Sequence, residues 1–146
     1  MTQTAPASSE TAYILEEQVG YLLRLASQRH AAIFQKHAVQ NLTPTQFTTL
    51  MRVAEMGDVS QNHLGRLAAM DVATIKGVVD RLKAKGLMQS RPDQVDKRRS
   101  IISLTDKGAD LIDDLKQTGL IITEDTLAPL TAPERRTLAN LLRKIS

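Results

Sequence analysis

The strongest constraint on this chain is a change of period at Gly86. Ahead of it, Ile75, Val78, Val79 and Leu82 repeat at spacings of 3 and 4, which marks one buried face of a helix. Behind it, residues 87–91 and 100–104 read as two short strands, and the polar, charged stretch 92–99 lies between them. Two strands joined by such a loop make a hairpin. Gly86 itself ends the helix, as a glycine just past a helix C-terminus does. The chain is therefore expected to be mainly α with a small β-hairpin.

The flanking segments carry their own start and stop signals. Residues 1–10 are small, polar and Pro-containing, and read as a disordered tail. From residue 11 to about 38 there is no proline and one glycine, with dense apolar residues, so one long helix is expected. At ~28 residues it would span about 42 Å, more than a small domain can cover, so part of it should pack on a second copy. Thr43-Pro44-Thr45-Gln46 is a capping box followed by Phe47, Leu50, Met51 and Ala54 at helical spacing, with Gly57 as the stop. Ser60 can cap a short third helix containing Leu64, Leu67 and Ala68. Met70-Asp71 makes a brief turn, and Asp71 caps a fourth helix through about Lys85. Thr105 can cap a fifth helix, weakened at Gly119 and ended at the latest by Pro129. Thr131 and Glu134 form a second capping box for a last helix bearing Leu138, Leu141, Leu142 and Ile145. This divides the chain into residues 11–42, 43–105 and 106–146.

Composition removes several classes of function. The 146 residues include no cysteine, which excludes disulfides, thiol catalysis and cysteine-bound metal. No apolar run approaches the roughly 18 residues needed to span a bilayer. The N-terminus lacks the basic start and apolar stretch of a secretory signal, so cytoplasmic residence is expected. No Gly-rich phosphate loop, GxSxG or HExxH is present. Asp113 and Asp114 are adjacent, so on a helix they face different directions and make no close carboxylate pair. His30 and His37 stand two turns apart, about 10 Å, too far for one zinc ion to bridge. Neither catalysis, metal nor cofactor is expected.

The net charge of +3 is unevenly placed. Residues 66–107 carry ten basic and five acidic side chains, while each flanking segment is slightly acidic. A localised basic patch is the footprint of a polyanion, nucleic acid first, unless it is simply a solvated face. The order of elements favours DNA. Two short helices joined by a tight turn suit a helix-turn-helix, and the hairpin behind them suits the wing of a winged helix. Ala73, Thr74, Lys76 and Gly77 are small or polar, as a surface meeting base edges must be. Arg81, Lys83 and Lys85 suit phosphate contacts, and Lys97, Arg98 and Arg99 sit where a long cation reaches a minor groove. Gln61 and Asn62, early in the third helix, either touch phosphate or are plain surface residues.

Leu82-Lys83-Ala84-Lys85-Gly86-Leu87, followed by Asp96-Lys97-Arg98-Arg99-Ser100-Ile101-Ile102-Ser103-Leu104-Thr105, resembles the signature of the MarR family of bacterial transcriptional regulators. The resemblance covers about residues 11–146. It implies a winged helix-turn-helix whose N- and C-terminal helices form a dimerisation layer, giving a homodimer on a palindromic double-stranded operator. It implies that Arg98 enters the minor groove and that Asp96 orients it, an assignment that also fits a charge-assisted pair. Many members are repressors released by small anionic aromatic compounds, and some are activators.

The four aromatic residues bear on such a ligand. Tyr21, Phe34 and Phe47 fall on the first two helices, as do Arg24, His30 and Met51. An apolar wall with a few cations suits a small aromatic carboxylate or phenol, whose ring is buried and whose charge is paired. The family's pocket lies between the dimer helices and the DNA-binding lobe. Phe34, Phe47 and Met51 can equally be core, and Arg24 can pair with the partner subunit. An architectural DNA-binding protein with no effector stays open at this point.

Overall fold

The computed structural model describes residues 11–37 and 39–146. The tail expected over residues 1–10 lies outside them. A single 3-10 turn, Leu15–Glu17, precedes α1 (Val19–Lys36). The first helix is thus shorter than expected. Gln18 has extended backbone (φ −82°, ψ 134°), and its side chain turns back to donate to the Ile14 carbonyl at 2.9 Å. Val19 and Gly20, both weak helix formers, make the first turn. Eighteen residues span ~27 Å rather than 42 Å.

α2 (Pro44–Met56) opens on the expected capping box. Thr43 Oγ1 accepts from Gln46 N–H and Gln46 Oε1 accepts from Thr43 N–H, both at 3.2 Å. It stops at Gly57, whose φ of +73° suits glycine. β1 (Val59–Ser60) leads into α3 (Gln61–Leu67), capped by Ser60. The turn to α4 (Val72–Ala84) bends at Ala69, which holds a left-handed φ of +57°. Asp71 caps α4, accepting from Thr74 N–H at 2.7 Å. β2 (Met88–Pro92), β3 (Ser100–Leu104), α5 (Asp106–Leu127) and α6 (Ala132–Lys144) complete the order.

The hairpin is one part of a three-stranded antiparallel sheet ordered β1-β3-β2, with Val59 opposite Ile102 and Met88 opposite Leu104. Two residues are too few to show alternation, so β1 has no signature in the sequence. Leu50, Leu64, Ile75, Leu82, Ile102 and Leu115 are almost wholly buried and join α2, α3, α4, the sheet and α5 in one core.

α5 docks through two glycines. A Cβ on Gly108 would stand 2.2 Å from the Leu87 carbonyl oxygen, so only glycine lets the first turn of α5 approach the start of the wing. Gly119, expected as a weak point, lies in an unbroken helix: the Phe47 ring packs on it, and a Cβ there would meet Phe47 Cζ at 3.0 Å. At its other end α5 is clasped by α1. Arg29 donates to the Asp125 carbonyl at 3.0 Å and to that of Thr126. His30 Nδ1 lies 2.9 Å from Thr126 Oγ1, and His37 Nε2 lies 2.7 Å from Asp125 Oδ2. These carbonyls belong to the last turn, which a helix leaves unpaired, and positive charge there complements the helix dipole.

One apolar surface has no cover among the described residues. Val19, Leu22, Leu23 and Leu25 of α1, Leu120 and Ile121 of α5, and Leu141, Leu142 and Ile145 at the C-terminus are all exposed, and α6 buries no residue. No helix is long and apolar enough to cross a membrane among the described residues.

Candidate nucleic-acid interface

α4 presents its outer face because its inner one is fully committed. Ile75, Val78, Val79 and Leu82 are buried, leaving Ala73, Thr74, Lys76 and Arg81 exposed and Gly77 half-buried. The Thr74 N–H and hydroxyl hold the Asp71 carboxyl below its ordinary value, so the cap is ionised. Lys76 Nζ pairs with Asp80 Oδ2 at 2.8 Å, one turn on, and that bond keeps the Asp80 carboxyl low. Lys83 Nζ donates to Ser90 Oγ at 2.9 Å, which ties α4 to β2. Lys85 sits at the end of α4. Its Nζ donates to the Asn41 carbonyl at 2.7 Å and to Gln46 Oε1 at 3.1 Å, so it anchors the end of α4 to the α2 cap.

The wing is organised by paired charges. Arg98 is 91% exposed, yet its guanidinium is held by Asp96, Nε to Oδ1 at 3.1 Å and Nη2 to Oδ2 at 3.3 Å. Asp96 Oδ1 also accepts from the Arg98 backbone N–H at 3.1 Å. The Arg98 side chain, and then its N–H, hold the Asp96 carboxyl below the usual range. Arg99 lies 3.6 Å from Asp93, so it braces the loop it stands on. Arg91 reaches across the sheet to Asp58 at 2.9 Å and joins β2 to the residue before β1. Lys97 is exposed and makes no hydrogen bond or ion pair among the described residues. Gln61 and Asn62 border a shallow polar cleft of about 120 Å³ with Arg98 and Arg99, so the start of α3 and the base of the wing form one surface.

The six candidate effector residues separate. Phe34 is buried and meets Phe47 edge-on, ring centres 5.8 Å apart. Phe47 and Met51 line a cleft of about 380 Å³ with Thr48, Arg52, Ala54, Glu55 and, from α5, Lys116. Tyr21, Arg24 and His30 do not line it. His30 is engaged with Thr126, and Arg24 is exposed. Arg52 is partly engaged, by Glu55 at 2.7 Å and the Leu67 carbonyl at 3.2 Å, whereas the Lys116 ammonium has no bonded partner among the described residues. Arg52 and Lys116 escaped sequence reasoning because which face of α5 meets α2 is a tertiary fact.

A helix-turn-helix closed by a three-stranded sheet, with an oriented cation on the loop between β2 and β3, defines a winged-helix DNA-binding fold. The sequence model of the MarR family matches residues 42–100. The HTH-type transcriptional repressor NicR of Pseudomonas putida is 44% identical over 98% of this chain and 93% of its own. A probable transcriptional regulator from Pseudomonas aeruginosa superposes with a TM-score of 0.88 at 44% identity, covering 91% of this chain and all of that one. BpsR of Bordetella bronchiseptica, solved in work on the regulation of its DNA binding by 6-hydroxynicotinic acid, superposes with a TM-score of 0.87 at 38% identity, covering 92% and 96%. The chain belongs to the MarR family of transcriptional regulators, which are DNA-binding proteins and not enzymes.

Proposed function

We propose that this protein is a homodimeric repressor that holds a palindromic operator and releases it on binding a small aromatic acid. The observation that carries the DNA half is the Asp96–Arg98 fork: a nearly fully exposed arginine aimed by a carboxylate has no packing role and suits a narrow groove of high negative potential. The outer face of α4, with Ala73, Thr74, Lys76 and Gly77, meets base edges, and Arg81 on the same helix borders a phosphate. Lys83, Lys97 and Arg99, with Gln61 and Asn62, border the phosphates. The uncovered apolar face of α1, α5 and α6 supports the dimer, whose symmetry then matches that of the operator. A DNA partner places the protein in the cytoplasm.

The effector half rests on the cleft between α2 and α5. Phe47, Met51 and Ala54 offer an apolar wall for a ring, and Lys116 offers a carboxylate a cation that has no bonded partner among the described residues. The likeness to BpsR, whose DNA binding is regulated by 6-hydroxynicotinic acid, supports this class of ligand. Tyr21, Arg24 and His30 contribute only if a partner's α1 comes near. Ligand binding then favours a dimer whose two α4 helices no longer match the groove spacing.

The test is fluorescence anisotropy on a labelled duplex from the DNA upstream of the gene, against a random duplex, across a salt series, with 6-hydroxynicotinic acid, benzoates and phenols. Tight binding to the upstream duplex alone, relieved by one class of acid, is the expected result. Specific binding that no acid relieves would remove the effector half, and equal weak binding to both duplexes would remove the whole reading.

A further inference from the structure

Gly77 is unexplained by the fold. It sits in the middle of α4, where glycine is among the poorest residues for a helix. Its backbone is helical, with no positive φ to call for glycine. A Cβ placed on it would meet nothing of the core. Its one close neighbour would be Arg81 Nη1, at 3.1 Å. The guanidinium therefore lies back along the helix, over the place a side chain at position 77 would occupy. Side chains on a helix tilt toward its N-terminus, so residue i+4 naturally covers residue i. With a Cβ there, the guanidinium must give by a few tenths of an ångström, about the tolerance of a hydrogen bond made on two atoms at once.

Arg81 is also uncommitted. Its side chain makes no hydrogen bond or ion pair among the described residues and meets Asp80 only as a nearby charge, whereas Lys76 is tied to Asp80 and Lys83 to Ser90. Its planar fork thus keeps all five donors, one turn closer to the N-terminal half of α4 than its own Cα. In a helix-turn-helix that half faces the base edges.

We propose that Arg81 is a specificity-determining residue that reads a guanine in the major groove of each half-site, and that Gly77 is the positioning residue that makes room for it. The proposal rests on the DNA-binding reading above and replaces a phosphate role for Arg81. Guanine offers O6 and N7 as paired acceptors, which the guanidinium fork matches on both atoms. Lysine has the charge without the fork.

The test uses the full-length protein and a duplex selected by it from a randomised library, with a random duplex as control. Each guanine of the half-site is replaced in turn by 7-deazaguanine, which lacks the N7 acceptor. For the unaltered protein, one replacement per half-site is expected to weaken binding about tenfold. With Arg81→Ala, which has no donor to lose, the same replacement should cost almost nothing. Gly77→Ala should shrink its effect several-fold while thermal stability holds or rises, a combination that a purely structural role does not produce. Two results would overturn the proposal and spare the DNA-binding reading. One is an Arg81→Ala protein as sensitive to 7-deazaguanine as the original. The other is a loss in Arg81→Gln that is equal on selected and random duplexes, as a phosphate contact gives. Failure of the unaltered protein to select any sequence would overturn both.

Discussion

The Asp96 carboxylate holds the Arg98 guanidinium on both of its oxygens, at 3.1 and 3.3 Å, while one of them also accepts the Arg98 N–H. A long cation on a loop would otherwise sample many rotamers and lose that freedom on binding. Asp96 limits that loss in advance, at a site where a carboxylate beside phosphate would otherwise repel. Arg98→Ala should weaken operator binding and lower the slope of log affinity against log salt by about one. Asp96→Asn should keep the cation but loosen it, with a loss of about fivefold, the equivalent of ~1 kcal/mol. Anisotropy across a salt series measures both.

The same pair sets a pH dependence. Its hydrogen bonds lower the Asp96 carboxyl below the reference value of 3.8. A group depressed on folding contributes its order above its unfolded value and loses it as pH falls through its folded one. The fork should therefore persist through the ordinary carboxylate range and open only below it. An NMR titration of Asp96 should give a midpoint under 3.8, moving up toward that value in Arg98→Gln.

Gly108 should tolerate no side chain. A methyl group 2.2 Å from the Leu87 carbonyl oxygen forces α5 away from the wing. Gly108→Ala is expected to destabilise the protein by about 1–3 kcal/mol in thermal or denaturant unfolding, although alanine is the better helix former.

The exposed apolar face should be the subunit contact. Replacing Leu141 and Ile145 together with glutamate puts charge where burial is needed, and sedimentation should show monomers with operator binding reduced to the non-specific level. A stable dimer would move the contact elsewhere.

Lys116→Ala should leave operator binding intact and raise the concentration of 6-hydroxynicotinic acid needed for release by about tenfold or more, as loss of a hydrogen bond to a charged group does. Release at the original concentration would take the cleft between α2 and α5 out of the mechanism.

By itself the sequence determined the elements whose signals are local. Thr43, Ser60, Asp71, Thr105 and Thr131 each cap the helix that follows, since a cap needs only a side-chain oxygen and an N–H three residues on. The period change at Gly86 and the wing signature were equally legible, because both lie within one continuous stretch. Only the tertiary structure decided the rest. β1 exists because Val59 finds Ile102, 43 positions along the chain. Lys85 bonds Asn41, and Lys116 joins a cleft with Met51, because elements distant in sequence pack together. Arg29 spends its donors, and His30 a ring nitrogen, on the end of α5 for the same reason. A residue's type shows what it can bond, but which groups stand within 3 Å of it depends on how the core brings separate elements together.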